Sequence, residues 1–372
     1  MKKETVILLI ASLLSITAVI ITAIFTQDID FSPRPASTSN RLTECKTLQY
    51  KGENKINLVF FAPGNRAKDY ADFFFGVNPF ISNKDIFNIY YIDAYNPTCT
   101  LYKDVALYCY SRELLKKASS CPNDFIVVLE EEKIEIRSSS YMNVMSININ
   151  HPPTVLLHEF GHAFANLAEE YVPATLLPNA KNCVKECNDF VYQTDGCFEG
   201  CSKETHKRSI NEGIMRTLLT KEFGTYNEKI IEEKIKEKTR IANTITGQAI
   251  QKRRDCKAEE YYLIEGSYTG GNIAVNKKTR EQGCAGTNGA GPYVFDIITA
   301  DSTLVRTEEF DPVNIFTDAP DKQKITGRIY ENEGKFHLKV PIIEDINAIE
   351  IRKDNQPQTK TIIKEDSIPC RI

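Results

Sequence analysis

The run His158-Glu159-Phe160-Gly161-His162 constrains this chain more than any other stretch. Residues four apart share one face of a helix, so the two imidazoles are placed to hold a single metal ion. Glu159 stands beside the first histidine, where a carboxylate can take a proton from water held at that metal. Leu156, Phe160, Ala163, Phe164 and Leu167 recur at helical spacing as one apolar stripe, with both histidines roughly opposite. The pattern predicts a helix whose stripe meets a core while its histidines face a cleft. His151 precedes two prolines and reads as a loop residue, and His206 and His337 read as ordinary surface or loop histidines.

The N-terminus is of another kind. Val6 to Phe25 is an uncharged run of twenty residues, preceded by Lys2 and Lys3 and followed by Asp28 and Asp30. That length crosses a bilayer as one helix, and the flanking lysines place everything after residue 27 outside. A cleaved signal peptide is the alternative reading of residues 1–27, and it exports the chain equally. Residues 28–44, with Ser32-Pro33-Arg34-Pro35, read as an extracellular stalk. All eleven cysteines lie beyond residue 44, as an oxidising exterior would permit, and their odd number leaves at least one without an intrachain partner. A net charge of −4, with basic and acidic residues interspersed, gives no sign of a nucleic-acid partner.

Residues 45–250 carry an α/β pattern. Asn57 to Ala62, Phe87 to Ile92 and Phe125 to Leu129 read as buried strands, with helices over Ala67 to Phe75 and Leu107 to Lys117. Tyr141 to Ile149 supplies a further strand just before the metal helix, suited to line a cleft and pair with an extended peptide. Within a cysteine-rich insertion at 183–201, Cys183, Cys187, Cys197 and Cys201 are spaced for two disulfides or a second, structural zinc. Asn227 is placed to cap a charged amphipathic helix to about Lys238. Residues 251–372 show short strands and Gly-rich turns, as in a small all-β, sandwich-like module.

Taken together, the motifs resemble the IgA-peptidase family of zinc peptidases, relatives of the metzincins. That family carries a His-Glu-Phe-Gly-His helix continuing into an Asp-Glu-Tyr-type segment, matched here by His158 to His162 and by Leu167-Ala168-Glu169-Glu170-Tyr171. Its downstream Ile-Met-Arg segment is matched by Ile214-Met215-Arg216. The likeness spans roughly Ile56 to Tyr226. The longer metzincin motif, with a glycine and a third histidine after the helix, is absent, its places being taken by Ala165 and Ala168.

The resemblance implies Zn2+ as cofactor, Glu159 as catalytic base and His158, His162 and a glutamate as metal ligands. Glu170 matches the family's glutamate by identity, while Glu169 stands where the family more often has Asp. The expected third ligand is therefore Glu170, or Glu169. A straight helix would carry Glu169 about 16 Å along the axis from His158, so the helix must break after His162. Asn166 can supply the left-handed turn. Met215 would pack beneath the ligands as a methionine turn, and Tyr171 or Tyr226 could donate to an oxyanion.

The function these features imply is a membrane-anchored extracellular zinc metalloendopeptidase acting on protein or peptide substrates. A catalytically retired cell-surface binding or adhesion protein is a second class, and a zinc amidase acting on cell-wall peptides a third.

Overall fold

Strands such as Ile56–Phe61 (INLVFF) have no polar face, so the sheet they form needs cover on both sides. The computed structural model shows how this is met. It describes residues 42–245, 255–317, 328–330, 333–343, 345–353 and 356–362. The apolar run Val6 to Phe25 lies outside them. Among the described residues no helix is long and apolar enough to cross a membrane.

An eight-stranded mixed sheet organises the α+β fold. Its order is Lys46–Gln49, Phe87–Ile92, Ile56–Phe61, Phe125–Glu130, Val144–Asn148, Ser139–Tyr141, Asn314–Thr317 and Arg328–Tyr330. The centre is parallel, from Phe87–Ile92 through Ile56–Phe61 and Phe125–Glu130 to Val144–Asn148. The remaining pairings are antiparallel.

Alternate residues of these strands enter two cores. Leu58, Phe60, Ile89, Val127, Met145 and Ile147 face the helices Gly64–Phe74, Thr154–Ala165 and Thr225–Ile245. Val59, Phe61, Tyr90, Ile126, Val128 and Val144 face the other way, into a core shared with Tyr262, Ile264, Phe295, Ile297, Phe336 and Ile349. Those last residues belong to two antiparallel sheets. One has the order Asn272–Gln282, Glu260–Thr269, Glu333–Pro341; the other Leu304–Phe310, Tyr293–Thr299, Ile346–Lys353, Gln356–Ile362.

The β-rich segment after residue 251 shares a core with the central sheet, and its described residues fall in the same compact unit as those from Leu42 onward. The reason is the second apolar face of the central sheet, which the C-terminal strands cover.

Local details also shift. The helix expected from Leu107 begins at Arg112, because Ser111 caps it, its Oγ accepting from the Leu114 N–H at 3.1 Å. Leu107 instead lies in the strand Ala106–Tyr108. Asn227 is no cap either: the last long helix starts at Thr225, and Asn227 is buried inside it. The single strand expected over Tyr141 to Ile149 is a hairpin, turned at Met142 with φ +55°. Its outer edge is already paired, Phe316 lying opposite Ser140 and Thr317 opposite Ser139.

Among the described residues, five disulfides join Cys45–Cys121, Cys99–Cys109, Cys183–Cys201, Cys187–Cys197 and Cys256–Cys284. The insertion's four cysteines are thus nested disulfides and not a second zinc site. Cys370, the eleventh cysteine, lies outside the described residues.

Candidate metal centre

The helix Thr154–Ala165 presents the two histidines, and its position is fixed by aromatic packing. The Phe160 ring meets Phe74 at 5.1 Å, Phe125 at 5.2 Å and Phe164 at 4.9 Å. Full burial of a phenylalanine contributes about 1.5–3 kcal/mol. The opposite side of the helix is covered too: His158 and His162 are both buried. A Cβ on Gly161 would stand 2.7 Å from Met215 Sδ, so this glycine lets the Met215 loop lie directly against the helix. Met215 thus packs against the helix at Gly161, between the two histidines in sequence.

Each imidazole is oriented by a backbone carbonyl. His158 Nδ1 lies 2.9 Å from Ile214 O, and His162 Nδ1 lies 2.6 Å from Leu167 O. A carbonyl only accepts, so both Nδ1 atoms carry the proton, and both Nε2 atoms, which offer a lone pair whenever the ring is neutral, turn towards the same point. Those two Nε2 atoms are 3.2 Å apart. The Glu169 carboxylate closes the triangle, Oε2 at 3.3 Å from His158 Nε2 and Oε1 at 3.1 Å from His162 Nε2.

Bonds of about 2.0–2.1 Å at the tetrahedral angle put ligand atoms about 3.3 Å apart, close to the Nε2–Nε2 separation, while the two Glu169 contacts come from different oxygens of its carboxylate. Among the described residues, His158, His162 and Glu169 form a buried group able to hold a metal ion. Its donors fit a metal: converging lone pairs and a carboxylate demand a positive charge between them.

The electrostatics agree. Burial acts to lower the pKa of His158, but the Glu169 charge and hydrogen bond, with Glu159 and Ile214 O, outweigh it and raise the value to about 10. Burial acts to raise Glu169, and the two histidines outweigh it and lower it to about 2. The site stabilises a cation.

Glu169, and not Glu170, is therefore the third candidate ligand. The helix ends at Ala165, and Asn166 adopts φ 51°, ψ 37°, the left-handed turn that brings the chain back. Beyond that turn, neighbouring side chains diverge. Glu169 points to the histidines. Glu170 is buried elsewhere, Oε1 accepting from Asn182 Nδ2 at 3.1 Å and Asn227 Nδ2 at 2.8 Å. Its N–H donates to Met215 O at 2.8 Å. Burial raises its pKa to about 7, against those two hydrogen bonds and the charges of Arg208 and Arg216. Glu170 thus ties the ligand segment to the methionine loop.

Other expected residues fall as follows. Glu159 is fully buried on the metal helix, close enough to His158 for its charge to be felt there. Tyr226 lies in the helix-side core against Phe190 and Tyr192. Tyr171 is half-buried and adjoins the ligand segment. His151 sits in its expected loop, Nε2 3.0 Å from Ile134 O. His206 and His337 lie in strands and not loops.

Sequence reasoning missed Phe316, whose ring stacks on His162 at 4.6 Å and 14°, and Asn182. Nothing local marks either residue: one arrives from a strand 154 positions beyond His162 (316 − 162), the other adjoins a cysteine that drew attention to itself alone.

No protein-family model matches this chain, and no curated protein matches it significantly.

Proposed function

We propose that this protein is a metal-dependent hydrolase of peptide bonds, with Zn2+ held by His158, His162 and Glu169 and with Glu159 as general base. The observation that carries the reading is the convergence of the two Nε2 atoms and the Glu169 carboxylate at 3.1–3.3 Å, with Glu159 next to the first ligand on the same helix. A bound zinc ion polarises a carbonyl and makes water acidic near neutral pH.

The chain's own residues supply the rest. Ile214 O and Leu167 O hold the imidazoles in the tautomer that leaves Nε2 free to ligate. Glu159 takes a proton from the attacking water as its oxygen adds to the scissile carbonyl carbon. The same carboxyl then passes the proton to the amine nitrogen as the C–N bond breaks. The burial of the whole group excludes bulk water, which strengthens each of these charge interactions.

Two features bear on where it acts. Ten paired cysteines suit an oxidising compartment, and the apolar run Val6 to Phe25 suits export with retention at the membrane. The substrates proposed are extracellular proteins or peptides. An amidase acting on cell-wall peptides shares every step of this chemistry and differs in substrate alone.

The test uses protein purified with its disulfides intact, beside its Glu159→Gln variant. Both are analysed for bound metal and incubated with a mixed unfolded-protein substrate, and new peptide termini are read by mass spectrometry. The expected outcome is one zinc per chain in both and cleavage by the wild type alone. Equal cleavage by the variant would remove Glu159 from the mechanism.

A further inference from the structure

The cysteine-rich insertion has a place in the metal centre that its disulfides alone do not explain. Leu167 to Glu169 form no regular secondary structure, so no ladder of backbone bonds fixes the carboxylate of Glu169. Side chains of the insertion do so instead. Asn182 Oδ1 accepts from the Ala168 N–H at 2.8 Å, and Asn182 Nδ2 donates to Ala168 O at 2.8 Å. One amide side chain thereby occupies both main-chain groups of the residue before the ligand, as a neighbouring strand would. Ser202 Oγ donates to Glu169 O at 2.8 Å. Asn182 and Ser202 are both buried, and they flank Cys183 and Cys201, which are bonded to each other. The disulfide therefore ties together the two residues that grip the ligand segment from either end.

We propose that Asn182 is a positioning residue for Glu169, and that the insertion from Asn182 to Ser202 is a clamp that sets the metal affinity of the site. The inference rests on the reading that His158, His162 and Glu169 bind a metal. Its physical basis is that a ligand on irregular backbone keeps its geometry only through the groups that hold that backbone, and losing such an outer contact costs about 10- to 100-fold in affinity. The helical histidines need no such help, because the helix itself sets their spacing.

The experiment titrates metal-stripped protein, disulfides intact, with Zn2+ against a chromophoric chelator, and records the visible spectrum of the Co2+ form. Asn182→Ala is compared with Asn227→Ala, which removes the other donor to Glu170 Oε1 but touches neither Ala168 nor Glu169. Asn182→Ala is expected to bind Zn2+ about 10- to 100-fold more weakly and to change the Co2+ spectrum, with Asn227→Ala matching the wild type in both. A folded Asn182→Ala with wild-type affinity overturns the clamp, as does an equal loss in Asn227→Ala. Should Asn182→Ala fail to fold, Ser202→Ala is read in its place: weaker Zn2+ binding supports the clamp, and unchanged binding overturns it. A wild type that takes up neither Zn2+ nor Co2+ overturns the metal reading itself, a result distinct from any difference between variants.

Discussion

The helix Thr154–Ala165 and the segment Leu167 to Tyr171 that follows it both contribute to the candidate metal centre, by different physics. On the helix, His158 and His162 are brought together by local geometry, and Phe160 and Phe164 anchor the opposite face. The following segment has no repeating bonds of its own. Its conformation comes from Asn182, Ser202 and the Met215 loop, 12 to 45 residues away along the chain. One region carries its instructions in its own sequence, and the other borrows them. The comparison teaches that ligands of one site can differ in how easily they are lost.

The sharpest break is at the donors. His162→Ala is expected to abolish metal binding, measured as metal content after dialysis, because two remaining ligands do not close a site. Glu169→Gln is expected to weaken Zn2+ binding severely, whereas Glu170→Gln leaves it unchanged. The reverse pattern in a chelator-competition titration would return the ligand to Glu170.

Next in size is the cover over the helix. Phe316 is buried and stacked on His162, so Phe316→Ala is expected to cost about 3–5 kcal/mol in a denaturant titration. A loss well below that range would mean that the C-terminal strand contributes little to holding the ring. Metal removal follows: at a free zinc concentration a thousandfold above Kd, binding adds about 4 kcal/mol, so chelation should lower Tm by the corresponding amount.

The smallest effects are in the pH dependence of the metal-free protein. Glu169 is depressed to about 2, so its contribution is present above the ordinary value of 4.5 and is lost as pH falls towards 2. His158 is raised to about 10, so its contribution is full below 6.5 and is lost as pH rises towards 10. Glu170, raised to about 7, acts in the opposite sense to Glu169: the folded state binds the extra proton, so stability falls as pH rises from 4.5 through 7. Metal-free protein should therefore be most stable near pH 4.5 and lose stability as pH moves away from it in either direction. Glu170→Gln should flatten the decline between pH 4.5 and 7, as followed by thermal melts across that range.

How much of this was legible in the sequence depends on the distance over which each feature is decided. The i, i+4 histidines, the apolar stripe and the left-handed break at Asn166 are set by neighbours a turn away, and each stands where the spacing put it. The apolar strands were legible for the same reason. Both their faces being apolar also implied a second covering layer, although which segment provides it did not follow from any local pattern.

The sequence by itself determined the helix that carries the two histidines and Glu159, and the strands Ile56–Phe61, Phe87–Ile92 and Phe125–Glu130; it left the insertion's cysteines open between two disulfides and a zinc site. Tertiary structure alone decided that Glu169 turns inward while Glu170 turns away, that the C-terminal strands share the core, and that Phe316 covers His162. Local features follow from the repeat of a helix or strand, which a few residues specify. The direction of a side chain on irregular backbone depends on bonds to groups far along the chain, such as Asn182 and Ser202, whose positions exist only once the fold has closed.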